Sequence, residues 1–255
     1  MEKLLDRKIL LFIAIFAVFV MPSISLAHDA RLEYVRQELV KAGYDKKAAS
    51  TLVHDKRIKV YAVKKVSYKQ PNWGIIESKF YNVDYIQQGK NYIISHSATF
   101  EKAETDYDVK KEVIAGIIAI ETDFGKNSGS YITFNTLYSR MKQASSTKWK
   151  AQAVQLMALS KYCLEEKLDC FSIKGSYAGA LGIVQFMPNS LLTYGIDGNA
   201  DGVVDLFNPE DAVPSAANFL KKHGWDQDQL KSLARYYGSS VGYPQIVLTY
   251  AGLIN

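Results

Sequence analysis

The sequence has little of several features that mark particular protein classes. Only two cysteines and six prolines occur among its 255 residues, which excludes a disulfide-rich mini-protein and a proline-rich disordered chain. No internal repeat recurs, which excludes a solenoid. The charge is mixed, with 31 Lys and Arg against 26 Asp and Glu. Lys-rich stretches such as residues 56–65 are therefore better explained as solvated faces than as a nucleic-acid site.

Long hydrophobic runs are also scarce, and the longest is Ile9–Val20. Its twelve residues are too few to span a bilayer comfortably. Basic residues precede the run, and Ser25-Leu26-Ala27 follows it. This order predicts a cleaved signal peptide over residues 1–27, with an uncleaved anchor as the alternative. We expect an exported protein, periplasmic or extracellular. It should not be a lipoprotein, because no cysteine follows the run.

The two cysteines, Cys163 and Cys170, lie seven residues apart. In an oxidising compartment such a pair can form a disulfide, and two free thiols are the alternative. No histidine lies near them, which argues against a zinc site.

What the sequence does contain is mainly helical periodicity, and strand signals are few and short. Apolar spacing predicts a helix, a turn at Gly43 and a second helix between Asp29 and Val53. The stretch 57–70 has a weak strand-like alternation. A helix over 106–120 is predicted, with Asp108 as its N-cap and Gly125 as the glycine that stops it. The other predicted helices are pieces of 73–103, one over 148–164, a short one after Pro188, one over 212–222 and a last one from Pro244. No linker divides the chain.

Glu121 ends the apolar run Val113–Ile120. Ile117 and Ile118 lie one turn earlier on the same helical face. A carboxyl group there loses hydration, so its pKa should rise. A carboxylic acid that stays protonated near neutral pH can donate a proton to a glycosidic oxygen. The alternative is a structural Glu at a helix end, paired with Lys or Arg. Asp123, two residues on, faces another direction and is no partner acid.

Several motifs in order resemble one known family. They are Glu121-Thr122-Asp123-Phe124-Gly125, the stretch from Gly175 to Ser190 that reads GSYAGALGIVQFMPNS, the segment Tyr194–Ala212, and Ala217–Trp225. The chain is identified by them as a member of the lytic murein transglycosylase B family of the lysozyme-like superfamily. The resemblance covers nearly the whole mature chain. It implies a mainly α fold with a lysozyme-like helical core, in one catalytic domain over 28–255: an N-terminal helical part, 28–105, and a core, 106–255.

The resemblance also implies the residues of a substrate cleft around Glu121. The implied cleft residues are Ser176, Gln185, Phe186, Met187, Tyr194, Tyr236 and Tyr243. For Ser176 the alternative is capping of a turn, and Phe186 and Met187 are better explained as wall and core than as chemical participants. Tyr237 stands where the family usually has Asn, so the amide contact expected there is missing. Arg140 matches a cleft arginine only loosely.

A D-x-N-x-D-G pattern begins at Asp197 and is typical of a calcium loop. Its twelfth position is Asn208 instead of the Glu of an EF-hand. In the family the loop is longer and closes near Asp211. The implied ligands of a structural Ca²⁺ are Asp197, Asn199, Asp201, the Val203 carbonyl and Asp211. The alternative is a polar turn without metal.

By resemblance, the chain cleaves the MurNAc–GlcNAc β-1,4 bond of peptidoglycan without water, leaving 1,6-anhydromuramyl ends. No cofactor is expected to take part in the chemistry. A muramidase that adds water and a non-catalytic wall-binding protein are the rival interpretations. We expect a monomer that acts on glycan strands and binds no nucleic acid, and other cell-wall enzymes remain open as partners.

Overall fold

The computed structural model describes residues 29–62, 73–238 and 242–255 of the chain. Within these residues the chain forms twelve helices and two short strands. The helices are α1 (Ala30–Lys41), α2 (Lys46–Val53), α3 (Trp73–Phe80), α4 (Val83–Ser95), α5 (Ser97–Tyr107), α6 (Lys111–Thr122), α7 (Thr133–Gln143), α8 (Trp149–Glu165), α9 (Pro188–Tyr194), α10 (Pro209–Lys222), α11 (Gln229–Tyr237) and α12 (Gly242–Ile254). The strands β1 (Tyr131–Ile132) and β2 (Lys174–Gly175) pair antiparallel. The predicted signal segment lies outside the described residues.

The first two helices form where the sequence predicts them. The Asp29 and Asp45 side chains accept hydrogen bonds from the first free amides of α1 and α2. Between the helices Gly43 has a φ of +95°, a conformation that glycine adopts without steric cost.

The predicted start of the helix before Glu121 is wrong. Asp108 does not cap it but ends α5 in a left-handed conformation with a φ of 55°. α6 begins at Lys111, and the residue before it, Lys110, makes no side-chain cap. Asp is one of the few residues that adopt the left-handed region readily, so the same side chain can end one helix as well as begin another. Two later boundaries also shift, because Asn208 caps α10 at Pro209 and α12 begins at Gly242.

α6 is the central helix of the fold. Its Ile114, Ile117 and Ile118 side chains are fully buried. α12 packs along it, and at Gly116 an added Cβ would lie 3.3 Å from the Val247 carbonyl oxygen. This close approach fixes the position of α12 relative to the end of α6. The core is continuous, since buried residues from Leu32 to Ile254 belong to one cluster.

The strand-like stretch 57–70 forms no strand in its described part. Residues 57–62, which we call the strap, lie instead along α7. The Lys59 amide donates to Asn135 Oδ1 at 3.0 Å, and the Tyr61 amide donates to Ser139 Oγ at 2.7 Å. Buried polar side chains of a helix thus satisfy the backbone that a neighbouring strand would otherwise bond. The rest of the stretch lies outside the described residues.

A disulfide joins Cys163 and Cys170, with their Cα atoms 5.5 Å apart, as the sequence predicts. The short loop it closes contacts the N-terminal helical part: Glu165 accepts a hydrogen bond from Tyr44, and Asp169 pairs with Arg57 at 2.7 Å. None of the helices in the described part of the chain combines the length and apolar character needed to cross a membrane.

Candidate active site

Glu121 occupies the last turn of α6, which ends in an unusual bend. Asp123, Phe124 and Gly125 all have positive φ angles, of 54°, 58° and 84°. The buried Thr122 hydroxyl ties the bend to the next loop, since it donates to the Ile183 carbonyl oxygen at 2.8 Å and accepts from the Gly125 amide. Glu121 is therefore held at the end of a rigid helix, beside a loop distant in sequence.

That second loop is a tight turn between Leu181 and Phe186, whose backbones exchange two hydrogen bonds of 2.8 and 3.1 Å. Only glycine fits at its first position. Gly182 has a φ of +70°, and an added Cβ would lie 2.2 Å from the Leu206 carbonyl oxygen. Backbone therefore approaches backbone closely at Gly182.

Tyrosines from α11 and α12 complete the site. The Tyr236 hydroxyl donates to the Val184 carbonyl oxygen at 2.7 Å, which connects α11 to the Leu181–Phe186 turn. Tyr243, in the first turn of α12, is fully buried and stacks on Tyr237 with ring centroids 4.5 Å apart. The charge of Glu121 contributes to raising the pKa of all three tyrosines, after burial, which is the larger cause. Glu121 thus lies among their hydroxyl groups.

Burial raises the pKa of the Glu121 carboxyl group from 4.5 to about 7, and interaction with the Tyr243 hydroxyl opposes the rise. The Tyr243 hydroxyl makes no hydrogen bond of standard geometry with the described residues. Desolvation is therefore the decisive cause of the raised pKa of Glu121. Neither cause is a second carboxylate, so no other acid among the described residues contributes to the raised pKa of Glu121.

The other predicted cleft residues have defined local contacts. The Ser176 hydroxyl accepts from the Ala180 amide at 3.1 Å, which is the turn-capping alternative. Gln185 has a φ of 52°, and its side-chain nitrogen donates to the Ser128 and Gly182 carbonyl oxygens. Both residues support the backbone of the site, and their binding of a substrate stays a prediction.

The remaining three predicted cleft residues are Phe186, Tyr194 and Met187. Phe186 is buried and packs on Phe219 and Tyr236, at 5.6 and 5.7 Å between ring centroids. Tyr194 packs on Phe219, with 4.8 Å between the ring centroids. Met187 is partly exposed and precedes α9. Phe186 therefore supports Tyr236 as core, in agreement with the sequence analysis.

The acidic loop uses its oxygens for its own backbone. Asp197 accepts from the Asp201 and Gly202 amides, and Asp201 accepts from the Val203 amide at 2.9 Å. Asp211 is fully buried and accepts from the Gly198 and Asp205 amides at 2.9 and 2.7 Å, which joins both ends of the loop. In the described ranges, no three His, Cys, Asp or Glu side chains converge closely enough to hold a metal. The donor set nevertheless consists of oxygens alone, the chemistry that a hard cation requires.

Two residues near the site have a clearer role in the structure than in the sequence. Tyr177 is 54% exposed and close enough to Tyr237 to influence its pKa. Tyr85, on α4, donates to Asp123 Oδ1 at 2.7 Å. The sequence signal for Tyr177 was its place in the GSYAGALG stretch, whereas Tyr85 has no local signal because its partner lies 38 residues away.

Comparisons with known proteins agree with this geometry. A family model described as a transglycosylase SLT domain matches residues 27–236. The membrane-bound lytic murein transglycosylase B of Escherichia coli (strain K12) is 32% identical over 195 residues, which are 74% of this chain and 52% of that protein. The chain spans about half the length of this curated relative.

Two solved structures share the fold. The Escherichia coli lytic transglycosylase SLT35 in complex with calcium gives a TM-score of 0.79 at 21% identity, covering 90% of this chain and 94% of the other. The soluble lytic transglycosylase SltB1 from Pseudomonas aeruginosa gives 0.78 at 22% identity, covering 88% and 98%. At these identities the likeness establishes the fold, and the mainly helical, lysozyme-like architecture predicted from the sequence is confirmed.

Proposed function

Because the chain belongs to the family of transglycosylase SLT domains, we propose that it cleaves the glycan strands of peptidoglycan with Glu121 as its only acid/base. One observation carries this proposal. Glu121 is a desolvated carboxyl group with a pKa raised to about 7, and no second carboxylate contributes to that rise. A two-carboxylate glycosidase would need such a partner to activate water or to act as nucleophile.

In the first step the protonated Glu121 donates its proton to the oxygen that links a muramyl residue to the next sugar. The bond between C1 and that oxygen breaks, and the leaving sugar departs with the proton as a hydroxyl group. Positive charge develops at C1, where the N-acetyl group of the same muramyl residue stabilises it. The raised pKa keeps the donor protonated near neutral pH, which is what general-acid catalysis requires.

In the second step the Glu121 carboxylate takes the proton from the C6 hydroxyl group of the same muramyl residue. The C6 oxygen then bonds to C1, which gives the 1,6-anhydro ring and returns Glu121 to its protonated form. No water is consumed. One carboxyl group serves both steps, so a single acid is sufficient.

The surrounding tyrosines support this use of Glu121 by limiting the access of water to its carboxyl group. Tyr243 is fully buried on α12, and Tyr236 is anchored to the Leu181–Phe186 turn. Exclusion of water strengthens the electrostatic interactions inside the site and disfavours hydrolysis as a side reaction. The partly exposed Tyr237 and Tyr177 offer flat aromatic surfaces on which sugar rings can pack.

We further propose that the protein is exported and that the acidic loop binds calcium for structural purposes. The structure of SLT35 contains calcium, and the loop of this chain has an oxygen-only donor set. Asp197, Asn199, Asp201, the Val203 carbonyl and Asp211 would hold the ion. Bound there, it would fix the segment between α9 and α10 and take no part in the chemistry.

Digestion of purified peptidoglycan, followed by mass analysis of the products, tests the proposed reaction. We expect muramyl ends that are one water lighter than hydrolytic ends. Glu121→Gln should lower the rate by about 10²–10⁴-fold, because the amide has the shape of the acid but no proton to give. Products with free reducing muramyl ends would instead establish a hydrolase. Equal rates for the wild type and Glu121→Gln would refute the role of Glu121.

A further inference from the structure

The bend after Glu121 needs support from outside α6. Asp123 and Phe124 both adopt left-handed backbone conformations, which Asp tolerates but which are unfavourable for a bulky residue such as Phe. Such a conformation persists only where surrounding contacts over-determine it. The Thr122 hydroxyl joins the bend to Ile183 and Gly125 but contacts neither the Asp123 nor the Phe124 side chain, so it does not explain what holds those two residues.

The support comes from α4, in the N-terminal helical part of the chain. The Tyr85 hydroxyl lies 2.7 Å from Asp123 Oδ1, to which it donates, and 3.2 Å from the Ala119 carbonyl oxygen. A carboxylate at a helix C-terminus is disfavoured by the helix dipole. A donor hydroxyl offsets this, and Lys126 at 3.9 Å adds only a distant charge.

Phe124 is held by the same helix. Its ring packs between Tyr85 and Tyr92, at 5.4 and 5.2 Å between centroids. Tyr85 is itself fixed: it is 5% exposed, its ring meets Phe80 at 4.8 Å, and its carbonyl oxygen accepts from the Tyr250 hydroxyl at 2.8 Å. Tyr85 is thus held in place by contacts on several sides, and its hydroxyl group donates a hydrogen bond to Asp123, two residues after Glu121.

We propose that Tyr85 is a positioning residue for Glu121, acting through its hydrogen bond to Asp123. The inference rests on the proposed function only in calling Glu121 the acid. Tyr85 touches neither Glu121 nor a reacting atom by this account. It fixes the bend that keeps the Glu121 carboxyl group aligned and shielded from water.

The chain offers a matched control. Tyr85→Phe removes one hydroxyl and keeps the ring that packs on Phe124. Tyr92→Phe also removes one hydroxyl group from a ring that packs on Phe124. Burial is the only cause of the raised pKa of the Tyr92 hydroxyl, and no hydrogen bond contributes to it. Differences between the two variants therefore report the contacts of the Tyr85 hydroxyl with Asp123 and with the Ala119 carbonyl oxygen, and variants of Asp123 separate the two.

The first measurement is a titration of the Glu121 carboxyl group by NMR with ¹³C-labelled glutamate, assigned with Glu121→Gln. The charged and titratable groups around Glu121 are Tyr236 and Tyr237 on α11, Tyr243 on α12, and Asp123 and Lys126 on the bend. Loosening the bend admits water, so Tyr85→Phe should lower the pKa of Glu121 by about one pH unit. In Tyr92→Phe it should stay near the wild-type value of about 7. Equal pKa values in both variants would overturn the inference, whether or not the protein cleaves peptidoglycan.

The second measurement is the rate on purified peptidoglycan, with thermal unfolding as a check that the variants fold. Tyr85→Phe should lower kcat about 10- to 100-fold with little change in KM, because misalignment affects the chemical step. Asp123→Asn keeps both the acceptor oxygen and the left-handed preference, so it should retain activity, whereas Asp123→Ala should lose as much as Tyr85→Phe. Loss of activity in Asp123→Asn equal to that in Asp123→Ala would contradict a role for this hydrogen bond. An inactive wild type in which the pKa of Glu121 still depends on Tyr85 would refute the proposed function and leave the positioning role intact.

Discussion

Glu121 makes the stability of the folded protein depend on pH. Its carboxyl group is desolvated, so the charged form is disfavoured in the folded protein and the pKa rises from 4.5 to about 7. A group whose pKa is higher in the folded state than in the unfolded state stabilises the fold fully at a pH below its unfolded-state pKa. This stabilisation is lost as the pH rises through the folded-state pKa. Above about pH 7 the fold must therefore bury a charge.

The first prediction follows for Glu121→Gln, in which the side chain is neutral at every pH. At about pH 8 the free energy of unfolding of the variant should exceed that of the wild type by up to about 3 kcal/mol. The variant should therefore unfold at a higher temperature. At about pH 5 the difference should be much smaller. Thermal unfolding of both proteins at the two pH values measures it. A gain that is the same at both values would mean that Glu121 does not titrate as described.

At this scale the sequence predicts the environment of Glu121 well, because Ile117 and Ile118 are near in sequence and both prove fully buried. It fails where one side chain has two local uses. Asp108 suits a helix start and a left-handed helix end equally, and tertiary contacts choose the second. Tyr85 could not be predicted, since nothing near it in sequence indicates Asp123 as its partner.

Among the elements, the Leu181–Phe186 turn is constrained by contacts from two sides. It receives the Thr122 hydroxyl on one side and the Tyr236 hydroxyl on the other. Gly182 permits this arrangement, because any side chain would collide with the Leu206 carbonyl oxygen.

The second prediction compares two glycines with left-handed backbones. Gly43→Ala introduces strain alone, since its Cβ would meet nothing within 4 Å, and should cost about 1 kcal/mol. Gly182→Ala adds a contact of 2.2 Å with backbone and should cost at least about 2 kcal/mol more. Urea unfolding of both variants measures the difference. Equal losses would mean that the turn can move away from Leu206.

Helix prediction succeeds where apolar spacing is clear and fails where a helix buries polar groups. α7 was not predicted, because Thr133, Asn135, Thr136 and Ser139 are all buried and interrupt its hydrophobic pattern. Asn135 and Ser139 are needed there to bond the strap. The strap has a strand-like sequence pattern, but its backbone amides donate to side chains of a helix and not to a neighbouring strand.

At the scale of the whole molecule, the acidic loop connects α9 to α10. Asp211, in the first turn of α10, accepts hydrogen bonds from the backbone amides of Gly198 and Asp205 and so joins both ends of the loop. If calcium binds, it should draw the carboxylates of the loop together, because a cation offsets their mutual repulsion.

The third prediction is that the midpoint of thermal unfolding rises as calcium is added. A ligand at about 100 times its dissociation constant stabilises a folded protein by about 2.7 kcal/mol if it binds only that state. Asp201→Ala, which removes one proposed ligand on the exposed side of the loop, should abolish the rise. The absence of any shift in the wild type at about millimolar calcium, the weak end of known affinities, would make the loop an ordinary polar turn.

The order of motifs along the chain predicts the family and the helical class, but not how the site closes. Glu121 and the Leu181–Phe186 turn are recognisable in sequence. The stacking of Tyr237 on Tyr243 arises only when α12 packs on α6 at Gly116. Contacts between elements that are distant in sequence decide how far water is excluded from the site, and no local sequence pattern predicts these contacts.

The pH dependence of peptidoglycan cleavage tests the central claim most directly, since the claim is that one protonated carboxyl group starts the reaction. The rate kcat/KM should be constant in mildly acidic solution and fall as the pH rises through the Glu121 pKa of about 7, with a single ionisation. The residual rate of Glu121→Gln should show no such ionisation. A wild-type rate that rises through about pH 7, as for a catalytic group that must be deprotonated, would contradict the account.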